Sequence, residues 1–274
     1  MDDSVRRRFA EAAREPRPDL ATLCLLVGEE ADPGLGEAGT DAAQIELDRL
    51  AGLLPYGLTG PADWAAATAA LLGGRLGFGG TPADYQRLDS SLLHEVLRRR
   101  RGLPILLSVV WIEVARRAGA PVYGVALPGH FVVGFGDPAG AFVLADPFNG
   151  GRPLGDEDVR LLVAGATGSV PSPAMLGPAD PLDIVLRVLN NIRAWADARP
   201  EHLAVQLWAV ELSLLLPQHP GRLRQEHAQL LVRAGDFARG AAEMEACAEV
   251  LDAAEPGRAG ALRHQARAAR ALLN

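Results

Sequence analysis

Lysine is missing from this sequence: all 27 basic residues among its 274 are arginine. A Schiff-base lysine, a Walker-type phosphate lysine and a Ser-x-x-Lys acyl-transfer site are therefore excluded, because each mechanism needs an amine. Cysteine is nearly missing too, with only Cys24 and Cys247 near opposite ends of the chain. No Cys-x-x-Cys pair exists, so neither a structural zinc site nor a dithiol redox motif has support. Two lone, apolar-flanked cysteines read as small buried hydrophobes in a reducing compartment. Aromatic residues are 5% of the chain, which leaves few base-stacking platforms. The formal net charge is −7, and an acidic surface repels nucleic-acid backbones and anionic lipid. The longest apolar stretch, Leu103 to Ile112, is about half of the roughly 20 residues that a membrane span requires. Met1-Asp2-Asp3 opens the chain with no apolar segment behind it, so no secretory leader is expected. These absences together lead to the expectation of a cytoplasmic protein with no metal or cofactor and no nucleic-acid or membrane partner.

What is present is ordinary globular material, 49% hydrophobic and 22% charged, in three textures. Residues 1 to about 100 read as helices broken by Gly and Pro. Leu20, Leu23, Cys24, Leu26 and Val27 give one apolar face, and Ile45, Leu47, Leu50 and Leu53 another. Asp89 or Ser90 is placed to cap a helix through Leu93, Val96 and Leu97. From Pro104 to Ala118 the chain is apolar almost all round, the signature of a buried helix. Pro104 suits its first turn, Arg116 and Arg117 suit its last, and Gly119 stops it. Three β-like runs follow: Val122 to Leu127, His130 to Phe135, and Phe142 to Leu144. One helix feeding an antiparallel sheet, without β-α-β alternation, predicts an α+β fold. Residues 151 to about 180 read as loop. Everything from about 183 reads as helix, with Pro200, Pro217, Pro220 and Pro256 between apolar runs. Two of those runs are offset by about 35 residues, near the pitch of helix-turn-helix repeats of the tetratricopeptide kind. The expected division is a core over 1–180 and a repeat region over 181–274.

His130 and Asp146 stand at the edges of neighbouring strand-like runs, where they can face each other across the ladder. An Asp that engages one imidazole nitrogen fixes the tautomer and leaves the other nitrogen free. That is two-thirds of a nucleophile-base-orienter arrangement.

Here the chain resembles a family. Arg101-Gly102-Leu103-Pro104, Leu127-Pro128-Gly129-His130-Phe131, Asp146-Pro147-Phe148 with Gly150-Gly151, and the trailing helices resemble the SirB-type branch of the transglutaminase-like superfamily. The resemblance covers roughly residues 20 to 255. It implies a papain-related core followed by tetratricopeptide-like helices. Catalytic members carry Gly-x-Cys at the start of the helix, whereas this chain has Pro104 there. Proline keeps the helix start and discards the thiolate chemistry that a helix N-terminus favours.

Ser108 is the nearest hydroxyl, one turn further along, and reads as a core serine bonding back to the carbonyl of Pro104. Pro104, Ser108 and Arg101 are candidate cleft residues beside His130 and Asp146. Arg98 to Arg101 read as a solvated helix end, or alternatively an anion site. His94-Glu95 begins like a zinc-protease motif, but Arg98 stands where the second ligand belongs, so an exposed helix pair is expected. The glycine-rich run Gly73 to Gly80 follows no strand and is no dinucleotide loop.

Three functions fit these residues. The first is a non-catalytic binding or regulatory protein offering its helical repeats to a protein partner. The second is an amide-bond hydrolase or acyl transferase using His130 and Asp146 with another nucleophile or water. The third is a structural or chaperone-like scaffold resting on the repeats.

Overall fold

The computed structural model describes residues 3–273; Met1 and Asp2, part of the opening read for a leader, and Asn274 lie outside them. The chain divides into two compact units, Met1–Val188 and Leu189–Asn274. The division falls inside a continuous helix, Pro181–Asp197, and so eight residues beyond the 180/181 boundary expected from the loop composition.

The first unit is α+β. Helices α1 (Asp3–Ala12), α2 (Leu20–Ala31), α3 (Gly36–Ala51) and α4 (Pro61–Thr68) lead into α5 (Leu93–Arg99) and α6 (Pro104–Arg117). On α2 the apolar face is buried as its sequence predicts, Cys24 included. On α3, Leu47 and Leu50 are buried but Ile45 faces solvent, 66% exposed. One turn apart, Ile45 and Asp48 lie off the stripe that Leu47 and Leu50 share. Neither Asp89 nor Ser90 caps α5. Leu92 holds that position, and Asp89 and Ser90 lie in a short 3₁₀ turn where Ser90 Oγ donates to Asp84.

The buried helix is α6. Every residue from Pro104 to Ala115 is buried, Trp111 completely. Pro104 occupies its first turn, and Gly119, at φ 94°, ends it. Removing a ring such as that of Trp111 costs about 3–5 kcal/mol, so α6 is the anchor of this unit.

Strands β1 (Val122–Val125), β2 (Val132–Gly136), β3 (Phe142–Asp146) and β4 (Arg152–Leu154) form an antiparallel meander in that order. The fourth strand and a further helix, α7 (Asp156–Thr167), lie in the segment read as loop. Glycines and prolines around this segment hid a short apolar stripe, Val159 with Leu162 and Val163. Asp158, whose carboxylate accepts from Gly155 N–H at 3.0 Å, starts the helix. One sheet face, Val125, Val132, Leu144 and Leu154, packs on Val159 and Val163 of α7. On the other face, Gly124 lies against Phe131 and Ile112 of α6. The sheet is thus held between two helices.

In the second unit, α8 (Pro181–Asp197) continues past residue 188, followed by α9 (Leu203–Leu215), α10 (Arg222–Arg233), α11 (Phe237–Leu251) and α12 (Pro256–Ala271). Helix starts recur: α9 at 203 and α11 at 237, α10 at 222 and α12 at 256, both after 34 residues. Pro200, Pro217, Pro220 and Pro256 all fall in turns or at helix starts, where a missing N–H costs least. Trp208 and Leu212 are buried, Leu207 and Phe237 half-buried. Ala241 and Met244 join Ala228 and Leu262 in a common core.

Candidate functional site

The β2–β3 hairpin places the two central residues. Its register pairs Val133 with Ala145, so the entry to β2 and the exit of β3 come together. His130 sits in the turn two residues before β2, and Asp146 is the last residue of β3. Their side chains meet, with Asp146 Oδ1 3.0 Å from His130 Nε2. The ring N–H is not aimed along that line, so the contact is an electrostatic pair and not a well-formed hydrogen bond.

Asp146 is itself held by its own turn. Oδ1 accepts from Phe148 N–H at 3.0 Å and Oδ2 from Asn149 Nδ2 at 2.7 Å. Burial pushes the Asp146 carboxyl up, but His130, Asn149 and the Phe148 amide outweigh it and hold the group below the ordinary carboxylate range. The turn closes through Gly150 and Gly151, at φ 69° and 85°, where Gly151 N–H donates to Asp146 O at 2.8 Å. Two glycines of the run Gly73 to Gly80 have their explanation here. A Cβ on Gly73 would strike the backbone of Gly150, and one on Gly80 would strike the Phe148 ring. These glycines let two backbone segments touch beneath the site.

The Phe148 ring stands edge-on to His130, centroids 6.3 Å apart, and edge-on to Tyr85 at 6.2 Å. Tyr85 is half-exposed. Partial burial and the nearby Asp146 raise its hydroxyl above the ordinary value, against the pull of Arg187. From α8, Arg187 donates to the carbonyls of Leu127 and His130, both at 2.9 Å, and lies over the Phe131 ring. Burial lowers its guanidinium, with Tyr85 opposing.

The structure thus brings His130 and Asp146 together. Ser108 lies close by in chain contact but not in the role expected of it: its hydroxyl donates to Phe131 O at 3.3 Å, not back to Pro104. The helix face carrying Ser108 is turned to the segment entering β2, so a cross-chain carbonyl is the nearer acceptor. Pro104 is buried at the start of α6, and that helix packs on the turn Pro147–Asn149. Arg101 is exposed; its backbone bridges to Gly79, which also lies beside the Phe148 carbonyl.

The arginine run is no uniform solvated end. Arg98 is exposed and pairs with Glu95. Arg99 is largely buried and reaches Asp84 and Asp89, each at 3.7 Å, because α5 ends against the 3₁₀ turns that carry these acids. Arg100, at φ 58°, closes α5 and donates to Leu76 O. His94 is half-buried against Gly28 and not an exposed partner of Glu95. Tyr85, Asn149 and Arg187 were not legible in the sequence. Only Asn149 had a local signal, its place between Asp146-Pro147 and Gly150-Gly151.

A small antiparallel sheet with a buried helix on one face, and a His–Asp pair at the strand ends, defines a class of α+β domain. A model of the transglutaminase-like superfamily matches residues 41–190, and the chain belongs to that superfamily. A UPF0162 protein of Xylella fastidiosa (strain 9a5c) is 39% identical over 156 residues, 55% of each chain. A UPF0162 protein of Vibrio cholerae is 26% identical over 75% of this chain and 77% of its own. F-box only protein 21 of Mus musculus is 27% identical over 55% of this chain and 24% of its own. The match therefore spans about half the length of the first of these relatives. Among the described residues, no helix is long and apolar enough to cross a membrane.

Proposed function

We propose that this chain is a non-catalytic binding or regulatory protein of the SirB-type branch, acting in the cytoplasm, whose tetratricopeptide-like helices present a surface to a protein partner. The observation that carries this reading is Pro104. It fills the first turn of α6, the place where the family resemblance puts a catalytic thiol, and it has no nucleophilic atom. The two cysteines offer no substitute. Cys24 is fully buried in α2, and burial pushes its thiol far up, away from the thiolate form. Cys247 belongs to the second unit, and partial burial raises its thiol also. The 34-residue recurrence of α9–α10 in α11–α12 supports the repeat reading. The test is an assay of the full chain for amide hydrolysis and acyl transfer on glutamine-containing peptides, with and without iodoacetamide. No thiol-sensitive turnover is expected. Turnover abolished by alkylation of Cys24 or Cys247 would overturn the reading.

The His130–Asp146 contact favours one alternative, a hydrolase that activates water through Nδ1. Ser108 is a poor nucleophile for it, being buried and donating to Phe131. Amide hydrolysis that survives iodoacetamide and disappears in His130→Ala is the result this alternative requires.

A further inference from the structure

The second unit contains a cluster unrelated to the His130 site. His227 on α10 is buried at 5% exposure. Its Nδ1 lies 2.6 Å from Glu243 Oε2 on α11, and its Nε2 lies 3.3 Å from Glu211 Oε1 on α9. One ring therefore touches carboxylates from the helices on both sides. The three groups do not converge as metal ligands do.

The donor count decides what this arrangement means. A neutral imidazole carries one N–H and one lone pair. Whichever nitrogen lacked the proton would turn its lone pair toward a carboxylate oxygen. Only an imidazolium donates to both sides at once, and each such bond is charge-assisted. We propose that Glu211, His227 and Glu243 form a proton-dependent clasp that ties α9, α10 and α11 together while the ring is charged and loosens that junction when the ring loses its proton. In the groove beside the ring the other charged or titratable groups are Arg222 and Arg224 on α10, Cys247 on α11, and Glu255 and Arg258 at the start of α12. Cys247 lies one turn beyond Glu243 on α11, and Arg224 and Glu226 flank His227 on α10. Glu226 is engaged by Arg193 and is not free to replace Glu211 or Glu243. Burial would lower the ring's affinity for its proton, and the two carboxylates reverse that.

The clasp has a further address. His227 and Glu243 line one wall of a groove of about 680 Å³ with Leu214, Cys247 and Val250, so release of the ring alters a wall of that groove.

The test is ring-proton NMR of the full chain across pH, with the His227 signal assigned by its loss in His227→Gln. The expected midpoint lies above the ordinary histidine value of about 6.5. Hydrogen exchange of α9–α11, corrected for intrinsic rate, should lose protection between about pH 6 and pH 8, the range in which histidine switches. His227→Gln should abolish that dependence. If His227→Gln fails to fold, Glu243→Gln, which keeps the side-chain shape, should move the midpoint down. A midpoint at or below the ordinary value, pH-independent protection in the wild type, or an unmoved midpoint in Glu243→Gln would overturn the clasp.

Discussion

Gly80 and Phe148 are joined twice: the Gly80 N–H donates to the Phe148 carbonyl at 2.9 Å, and the Phe148 ring fills the space a side chain on Gly80 would need. Phe148 in turn stands beside His130 and lends its amide to Asp146. A backbone contact outside the sheet thus governs the side chains at the strand ends.

Gly80→Ala must displace that ring. Overpacking of this kind costs about 1–3 kcal/mol. Urea denaturation should show a loss of that size, and the His130 ring signals should shift while those of His227 stay fixed. An unchanged midpoint would mean that the ring swings aside freely.

Asp146 carries an acid-sensitive share of stability. Its folded carboxyl lies below the unfolded value of about 3.9, so the stabilisation is present above that value and is lost as pH falls through the folded one. Asp146→Asn should be less stable than wild type at neutral pH and should show a shallower loss between about pH 5 and pH 2. Parallel stability curves for the two proteins would contradict this.

Arg187→Met keeps the stem over Phe131 and removes both bonds to the Leu127 and His130 carbonyls. Bonds from a charged donor are worth about 1.5–3 kcal/mol each, and part burial places the combined loss toward the lower figure. The measurement is the denaturation midpoint, with amide exchange across the turn Leu127 to His130 expected to quicken.

Pro104→Cys places a thiol in the first turn of α6 and tests the proposed equivalence of that position with the catalytic one. A first-turn proline is replaceable at small cost, because the position forms no obligatory hydrogen bond. The new thiol should react with iodoacetamide at neutral pH faster than an unperturbed cysteine, and His130→Ala should slow it. A thiol that is inert and indifferent to His130 would refute the alignment of Pro104 with the catalytic position.

The parts legible in the sequence are those with local punctuation. Pro104 and Gly119 bracket α6, and Pro128-Gly129 and Asp137-Pro138 bracket the first strands, so the order of these elements was legible, although β1 stops at Val125 and His130, expected to open the second strand, lies in the turn before it. The expectation that His130 meets Asp146 rests on the order and spacing of these segments. Where punctuation misled, structure was lost: β4 and α7 hid among glycines and prolines because a two-layer contact needs only the short stripe around Val159 and Val163. Tyr85 and Arg187 reach the site from distant segments, and no pattern near either residue encodes that approach. The same holds for Arg99, whose acidic partners lie in turns preceding its helix.

In the C-terminal helices, the principal contacts join α9 to α10, α10 to α11, and α11 to α12. The repeat reading proposed above predicts melting like a row of linked units and not as a single block. Helix α12 packs on α11 through the small-residue seam of Ala259, Leu262, Ala266 and Ala269, and its Arg258 also donates to Gln225 of α10. Parting of that seam has a local consequence. It strips the cover from Ala241, Met244 and Ala248 before it disturbs α9, so partial opening of this end exposes a fresh apolar strip while the rest of the array still stands.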